Sequence, residues 1–258
     1  MINTFRLENS TVSVIIPAYN EEKRITSTIG DITKNIENLK EIIVVFDGSD
    51  RTPEIVESTF PECKVIQHNC RMGKGRAIKE GIEKATGDII AYVDADGSIP
   101  ASEINRLSSK LTDTNFVISS RWMRSSKVKV KQPGYRILFG RVFHYFVFFL
   151  FRMDIKDTQC GLKVFRAKPL KEIIQKVLVF DWAFDVSVIY HAMEYGLKPV
   201  EVGIEWNNIA GSKLKIFKTI PKMFLSVFGM WIINKHTKSA KIKTIIDKIK
   251  YEFFSRSY

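Results

Sequence analysis

Short apolar runs alternate with longer amphipathic stretches over the first hundred residues. Four runs rich in Val and Ile, VSVIIP, EIIVVF, KVIQH and DIIAYVD, are typical of buried strands. Between the first two, isoleucine recurs with the spacing of one helical face, at Ile25, Ile29, Ile32 and Ile36. The Thr52-Pro53 pair starts a second helical pattern, and a third pattern, GRAIKEGIEKATG, is expected to stop at Gly87.

This alternation predicts an α/β fold with a doubly wound, mostly parallel, Rossmann-like sheet, because parallel strands are joined through helical crossovers. Ligands bind such sheets beyond the carboxyl ends of the strands. The predicted strands end in four polar loops, at residues 17–21, 47–49, 69–74 and 94–96. Each loop alone is also compatible with an ordinary turn. Four of them at one sheet edge indicate a binding site.

The second half of the chain has a different pattern. Residues 135–152 predict an apolar, aromatic helix flanked by arginines, which suits a membrane interface or a buried core helix. Residues 220–234 repeat this pattern. An apolar stripe covered by lysines follows, at Ile242, Ile245, Ile246 and Ile249. Because no run reaches the roughly 18–20 apolar residues of a membrane span, we expect no transmembrane segment.

The net charge of the chain indicates an anionic partner. The 258 residues carry a net charge of +12, and residues 114–153 contain no acidic side chain. Nucleic acid, an anionic membrane and a phosphorylated substrate all fit that charge. The three cysteines lack paired or metal-ligand spacing, as in a reducing compartment. The N-terminal residues show no secretory signal pattern, so we expect the cytoplasmic side.

Asp94 and Asp96 form an Asp-x-Asp sequence directly after a predicted strand. Carboxylate oxygens are the ligands that Mg²⁺ and Mn²⁺ prefer, with phosphate and water completing the coordination. An EF-hand is excluded, since its sixth and twelfth positions would be Ile99 and Asn105. A P-loop is excluded too, because RMGKGRA lacks the first glycine and the Ser/Thr after lysine.

Several motifs together resemble the GT-A glycosyltransferases of family 2. They are VSVIIPAYNEEKRI, IIVVFDGSDRTPEIV, GKGRAIKEGIEKATGDIIAYVDADGS and SSRWM, in that order. Further on, DTQCGLKVFR, FDWAFDVSVIYHAMEYGLKPVEVGIEW and GSKL are similar to dolichyl-phosphate glucosyltransferases, which are relatives of the dolichyl-phosphate mannose synthases. The resemblance covers residues 11–214. It implies a GT-A catalytic domain over residues 1–212 and membrane-associating amphipathic helices over residues 213–258.

The resemblance implies inverting transfer of a hexose from a nucleotide sugar to dolichyl or polyprenyl phosphate. The donor is expected to be UDP-glucose, with GDP-mannose as the alternative. Mg²⁺ or Mn²⁺ is expected on Asp94 and Asp96, where it neutralises the leaving diphosphate. Phe46 replaces a second aspartate that many members carry, so Asp47 alone is left for the base. The implied nucleotide-sugar residues are Pro17, Tyr19, Glu21, Asp47, Lys74, Asp94, Ala95 and Asp96.

A lipid phosphate is largely ionised at neutral pH, so it needs cationic groups to position it more than it needs a base. With Asp96, the implied catalytic residues are Arg121, Arg136 and Lys213, while Asn207 stands where relatives carry an arginine. Four more residues are expected near the sugar or acceptor: Asp157, Gln159, Lys163 and Asp185. Each of these residues is also compatible with a solvated surface or a structural turn.

We therefore predict a peripheral enzyme on the cytoplasmic face of a membrane, with no nucleic-acid partner. A basic nucleic-acid-binding protein is the main alternative of another class. It is disfavoured because the basic residues alternate with aromatic ones and no reader motif is present. A nucleotidyltransferase that makes the nucleotide sugar, and a non-catalytic lipid-phosphate binder, are further alternatives. The former releases pyrophosphate, and the latter has no turnover.

Overall fold

A computed structural model describes residues 9–130, 132–209 and 216–236 of the chain. Seven strands form the main sheet: β1 (Val12–Ala18), β2 (Leu39–Phe46), β3 (Lys64–Gln67), β4 (Ile89–Tyr92), β5 (Asn115–Ser120), β7 (Lys163–Arg166) and β8 (Lys198–Gly203). Their order is β3-β2-β1-β4-β7-β5-β8. Two short strands, β6 (Lys127–Val130) and β9 (Glu205–Asn207), pair separately.

The main sheet is parallel except at β7, which runs antiparallel to both β4 and β5. The predicted mostly parallel α/β sheet is therefore confirmed. Residues of β1 alternate between two hydrophobic layers, with Ile15 on one face and Val14 and Ile16 on the other. Because both faces are covered, β1 reads as a continuous apolar run instead of an alternating one.

Eight helices accompany the strands in the described part of the chain: α1 (Ile25–Asn35), α2 (Thr52–Thr59), α3 (Lys74–Lys84), α4 (Ser102–Ser108), α5 (Gly134–Phe151), α6 (Ala167–Ile174), α7 (Phe184–Glu194) and α8 (Ile216–His236). The apolar residues of α1, α2 and α4 pack on one face of the sheet. Those of α3, α6 and α7 pack on the other face, together with a few residues of α5 and α8.

The predicted helices α1 and α2 are found where the pattern placed them, and α2 begins at Thr52 with Pro53 in its first turn. The end of α3 differs from the prediction. The helix ends at Lys84, before Gly87. Gly87 instead passes close to β1, where its N–H donates to Ser13 Oγ at 2.8 Å and a Cβ would crowd the Ser13 backbone. The glycine is needed for that close approach.

Helix α5 is exposed along most of its length, and 11% of it is buried. The buried-core alternative for this helix is therefore wrong. Phe143 and Val147 face the protein, and Phe143 packs edge-on against Phe224 of α8 at 5.3 Å. Large apolar side chains of α5 remain exposed, at Tyr135, Ile137, Leu138, Val142, Tyr145 and Phe149.

In the described residues, α5 alone has the length and composition that could cross a membrane, which by itself is weak evidence for a crossing. Its placement at a membrane interface stays a prediction. The predicted domain division at residue 212 lies outside the described residues. Lys213 and the stripe formed by Ile242, Ile245, Ile246 and Ile249 lie there too.

Candidate active site

Hydrogen bonds join the loops that follow β1, β2 and β3 at one edge of the sheet. Asn20 Oδ1 accepts from the Ser49 N–H at 2.7 Å, which links the first loop to the second. Asp47 Oδ2 accepts from the N–H groups of Met72 and Gly73, at 2.8 and 2.6 Å, which links the second loop to the third. The buried Asp47 therefore holds the third loop in place, and its predicted contact with a nucleotide base stays a prediction.

Lys74 links the third loop to the fourth. The residue opens α3 directly after Gly73, whose φ of 87° lies in the left-handed region that favours glycine. Its Nζ lies 2.7 Å from Asp94 Oδ1 and 3.8 Å from Asp185 Oδ2. Burial opposes charge on both partners of the closer pair. Their mutual attraction outweighs it, so the pKa of Lys74 lies above its ordinary value and that of Asp94 below.

Asp185 lies in the first turn of α7 at the centre of a buried cluster. Its Oδ1 accepts from Lys163 Nζ at 2.7 Å and from the Tyr92 hydroxyl at 3.1 Å. Burial, followed by the Asp185 charge, raises the pKa of Tyr92 well above its ordinary value. Lys163 is fully buried, and its Nζ also donates to the Cys160 carbonyl at 2.6 Å. Lys163 Nζ is thus paired within the protein, and its predicted bond to a sugar hydroxyl stays a prediction.

Asp96 has chemistry that suits a cation. Its Oδ1 accepts from the Ser98 N–H at 3.0 Å, and the Ser98 side chain also hydrogen-bonds to the carboxylate. Burial, and then the charge of Asp94, raise the pKa of Asp96. Two neighbouring carboxylates in a partly dry site repel each other until a cation reduces that repulsion. The donor set therefore fits a divalent metal that takes its remaining ligands from a diphosphate and water. The described residues contain no cluster of three or more metal-ligating side chains.

Arg121 and Asp157 form a bidentate ion pair near the same edge. Arg121 Nε and Nη2 lie 2.7 and 2.8 Å from the two Asp157 oxygens, and the Arg121 N–H donates to Asp157 Oδ2 at 3.0 Å. Burial opposes both charges, but the pairing dominates, so the pKa of Asp157 is lowered and that of Arg121 is raised. Glu201 accepts from the N–H groups of Lys156 and Asp157, which fixes the loop that carries the aspartate.

Four of the predicted nucleotide-sugar residues lie in the first and fourth loops. Pro17 lies within β1, and Tyr19 stacks beneath the Arg71 guanidinium at 4.2 Å. Glu21 is buried and pairs with Arg24. In the fourth loop, the Ala95 carbonyl accepts from Thr28 Oγ1 at 2.9 Å. The predicted contacts of these four residues with a nucleotide sugar stay predictions.

Two of the remaining predicted residues, Arg136 and Gln159, each have a buried side-chain nitrogen. In the described part of the chain, Arg136 Nε and Gln159 Nε2 are buried without a hydrogen-bond partner. Gln159 lines a small cleft with Arg121, Trp122 and His144. The described contacts do not bring Arg136 to Arg121, so a shared phosphate site stays a prediction. Lys213 lies outside the described residues.

Three further residues lie at this edge without a role predicted from the sequence. Tyr92 could have been found, because it lies two positions before Asp94 and a strand places such residues on one face. Trp182, whose ring lies 6.0 Å from Lys74 Nζ, carried no comparable signal. Gly161 lies against Asp94, and a Cβ there would be 2.7 Å from Asp94 Cγ. That approach depends on the pairing of β7 with β4.

Comparison with known proteins identifies the family. The sequence profile described as "Glycosyl transferase family 2" matches residues 13–174, more than half of the chain. The chain belongs to glycosyl transferase family 2. This membership confirms the resemblance seen in the sequence motifs, and the protein is a glycosyltransferase.

Several curated relatives of this family 2 glycosyltransferase are named dolichyl-phosphate beta-glucosyltransferase. One from Trichomonas vaginalis is 34% identical over 223 residues, covering 80% of this chain and 68% of the relative. One from Dictyostelium discoideum is 32% identical over 88% of this chain and 78% of its own length. The human protein is 31% identical over 80% of this chain and 70% of its own.

Solved structures share the fold of this family 2 glycosyltransferase. Glucosyl-3-phosphoglycerate synthase from Mycobacterium tuberculosis, in complex with Mn²⁺, UDP and glucosyl-3-phosphoglycerate, superposes with a TM-score of 0.65. It is 19% identical and covers 88% of this chain and 80% of its own. The same synthase was also solved with Mg²⁺ and UDP. At this identity the likeness establishes the fold alone, which is the predicted GT-A fold.

Proposed function

We propose that this glycosyltransferase moves glucose from UDP-glucose to dolichyl or polyprenyl phosphate at the cytoplasmic face of a membrane, with inversion at the sugar. The observation that carries the proposal is the edge where Asp94, Asp96, Lys74 and Arg121 meet. There, Asp94, one of two carboxylates suited to a cation, lies within electrostatic range of Arg121, a cationic group suited to phosphate. Relatives named dolichyl-phosphate beta-glucosyltransferase support the choice of sugar and acceptor.

Asp94 and Asp96 would hold Mg²⁺ or Mn²⁺, which neutralises the departing nucleoside diphosphate as a Lewis acid. The protein prepares this site in two ways. The Ser98 N–H fixes one oxygen of Asp96. Gly161 leaves room for Asp94 to lie against the loop between Cys160 and β7. Both carboxylates are thereby positioned before the donor arrives, which reduces the reorganisation required during transfer.

The acceptor phosphate would be held by arginine. Asp157 occupies the Nε and Nη2 edge of Arg121, so Nη1 is the nitrogen left for a phosphate oxygen. The buried carboxylate keeps the guanidinium in one orientation, which lowers the entropic cost of binding the nucleophile. Asp157 therefore positions Arg121, and we assign it no direct bond to the sugar. Arg136 and Lys213 are proposed as further phosphate contacts by resemblance.

The exposed apolar side chains of α5 and α8 form the proposed membrane surface. Leu138 and Phe149 of α5 are 62% and 75% exposed, and Leu225 of α8 is 56% exposed. Cationic side chains accompany them. Arg141 lies over the Trp122 ring at 4.4 Å, and Lys235 lies over Trp231 at 4.7 Å. Aromatic rings beside basic groups suit the headgroup region of an anionic bilayer, where they would guide the lipid chain of the acceptor.

The donor and acceptor are tested together. The purified protein is incubated with short-chain polyprenyl phosphate, Mg²⁺ or Mn²⁺, and a panel of labelled nucleotide sugars. We expect labelled lipid from UDP-glucose, in a linkage that β-glucosidase cleaves and α-glucosidase does not. Labelled lipid from GDP-mannose instead would establish the mannosyl alternative. Pyrophosphate release in a separate incubation with a nucleoside triphosphate and a sugar 1-phosphate, without labelled lipid in the transfer assay, would establish a nucleotidyltransferase. Labelled lipid from no donor would refute the proposal.

Membrane attachment is tested separately by sedimentation with phosphatidylcholine vesicles, with and without phosphatidylserine. We expect the protein to sediment with the anionic vesicles and the double variant Leu138→Glu/Phe149→Glu to stay in solution. The double variant Ser58→Glu/Thr112→Glu, at two exposed polar positions, serves as the charge-matched control. Equal sedimentation of both double variants would show that α5 is not the membrane surface.

A further inference from the structure

Lys74 is an internal cation placed between two carboxylates. Its side chain is 13% exposed, and its Nζ contacts Asp94 Oδ1 at 2.7 Å while Asp185 Oδ2 lies 3.8 Å away. A divalent cation bound to Asp94 would therefore meet this ammonium group at close range. Two positive groups that share one half-buried carboxylate repel each other. Lys74 must either weaken the cation site or leave Asp94.

Asp185 is built to offer Lys74 a second position. Lys163 and Tyr92 both bind its Oδ1, and both are fully buried, so the carboxylate cannot rotate freely. The Cys160 carbonyl fixes Lys163 in turn. The Oδ2 of Asp185 is thereby held facing Lys74. A side-chain displacement of about 1 Å would bring the ammonium group within hydrogen-bond distance of Oδ2.

The backbone at this point is held, so the displacement falls to the side chain of Lys74. The Gly75 N–H donates to the Phe180 carbonyl at 3.1 Å, and a Cβ on Gly75 would overlap that carbonyl group. The start of α3 is thus locked against the segment before α7. Trp182 lies beside the lysine, with its ring centroid 6.0 Å from Nζ, and favours an ammonium group that remains in this region.

We propose that Asp185 is a positioning residue that receives the Lys74 ammonium group when Asp94 takes up a divalent cation. Lys74 then acts as a displaceable internal cation. It compensates Asp94 in the absence of metal and pairs with Asp185 in its presence. This inference rests on the proposed metal role of Asp94 and Asp96. It adds a buried residue, away from the metal itself, that controls how readily the metal binds.

The test is a double-mutant cycle on Mn²⁺ affinity, measured by electron paramagnetic resonance without donor or acceptor. Lys74→Met should tighten Mn²⁺ binding about tenfold, since the competing ammonium group is gone. Asp185→Asn should weaken it about tenfold, since Lys74 then has no second position. In the double variant, the Asp185→Asn change should have less than about a twofold effect relative to Lys74→Met alone.

Additive effects in this cycle would overturn the inference, because they would show that Asp185 acts on the metal only as a distant charge. The metal site itself is checked by Asp96→Asn, which should abolish Mn²⁺ binding. If it does not, or if the wild-type chain binds no Mn²⁺, the metal role in the proposed function fails and the inference falls with it. If the wild-type chain binds Mn²⁺ and the two substitutions have additive effects, the inference about Asp185 fails while the proposed metal site stands.

Asp185→Asn leaves the buried Lys163 without its partner, which can prevent folding. The Lys74→Met comparison is therefore repeated on the background Lys163→Met/Asp185→Asn, in which both buried charges are removed. Adding Lys74→Met to this background should raise Mn²⁺ affinity more than the same change does in the wild type. An equal rise in both backgrounds would overturn the inference. Circular dichroism and thermal melts verify the fold of every variant.

Discussion

The change Gly161→Ala tests whether the position of Asp94 controls transfer. A Cβ at residue 161 would lie 2.7 Å from Asp94 Cγ and would overlap Oδ2, so Cγ must retreat by about 0.7 Å to reach an ordinary 3.4 Å contact. Residue 161 does not lie in the left-handed backbone region, so the effect of the methyl group is steric. A misplacement near 1 Å at a reacting centre costs about 10²-fold.

We therefore expect kcat/KM to fall about 10²-fold, which corresponds to about 2.7 kcal/mol of transition-state stabilisation. The assay is the initial rate of labelled lipid formation, with the donor varied at saturating metal. Gly30→Ala is the matched control, since its Cβ would meet only Phe60 Cζ at 3.8 Å. That control should be stabilised by about 0.5–1 kcal/mol, because it removes a glycine from the middle of α1, and should keep its kcat/KM.

Urea unfolding separates catalysis from stability in both variants. An unchanged kcat/KM in folded Gly161→Ala would refute the reasoning. It would show that Asp94 tolerates displacement and is not a ligand whose position limits the reaction. A fall in rate that matches a comparable loss of folded protein would also refute it, since the change would then act through folding.

Three further predictions concern Asp96, the Arg121–Asp157 pair and Glu41. The Glu41 carboxylate of β2 accepts from Ser13 Oγ, Lys64 Nζ and the Thr86 N–H. Asp96→Ala should lose transfer in Mg²⁺ or Mn²⁺ buffer while keeping its melting temperature, and wild-type turnover would exclude the metal assignment. Arg121→Met should lower the free energy of unfolding by about 3–5 kcal/mol in urea, because Asp157 is left buried and unpaired. Adding Asp157→Asn should restore most of that loss, and no restoration would show that the unpaired charge is not its cause. Burial alone would raise the pKa of Glu41, but hydrogen bonds, the largest from Lys64, lower it from 4.5 to about 2. Ionised Glu41 therefore stabilises the fold fully above pH 4.5, and this stabilisation is lost as the pH falls towards 2. Glu41→Gln should make the urea midpoint of unfolding depend less on pH over that range. An unchanged pH dependence would contradict the assignment.

Much of the fold could be predicted because it depends on short-range periodicity. The Val and Ile runs became β1, β2 and β4, and the isoleucine stripe became the buried face of α1. The position of Asp94 and Asp96 at the end of β4 followed from the same reasoning, since ligand sites lie beyond the strand ends of a parallel sheet. The ordered set of family motifs then predicted the reaction class, which the family match confirmed.

Partners across the sheet could not be predicted, because they depend on the antiparallel insertion of β7. Lys163 was expected near the sugar because the family resemblance places the DTQCG motif there. The pairing of Lys163 with Tyr92 across β7 and β4 buries the lysine next to Asp185, which the motif did not indicate. The spacing of the motif along the chain is the same for either outcome, so the sequence could not distinguish them.

The sequence by itself determined the mixed α/β architecture, the acidic character of the Asp-x-Asp loop on which the metal prediction rests, and the family. These are properties of local pattern and residue chemistry. The tertiary structure alone decided that Lys74 lies between Asp94 and Asp185, that Asp157 orients Arg121, and that α5 is exposed instead of buried. Each of these depends on the distance between side chains far apart in the chain. At those distances, charge and burial set which groups are free to bind a substrate.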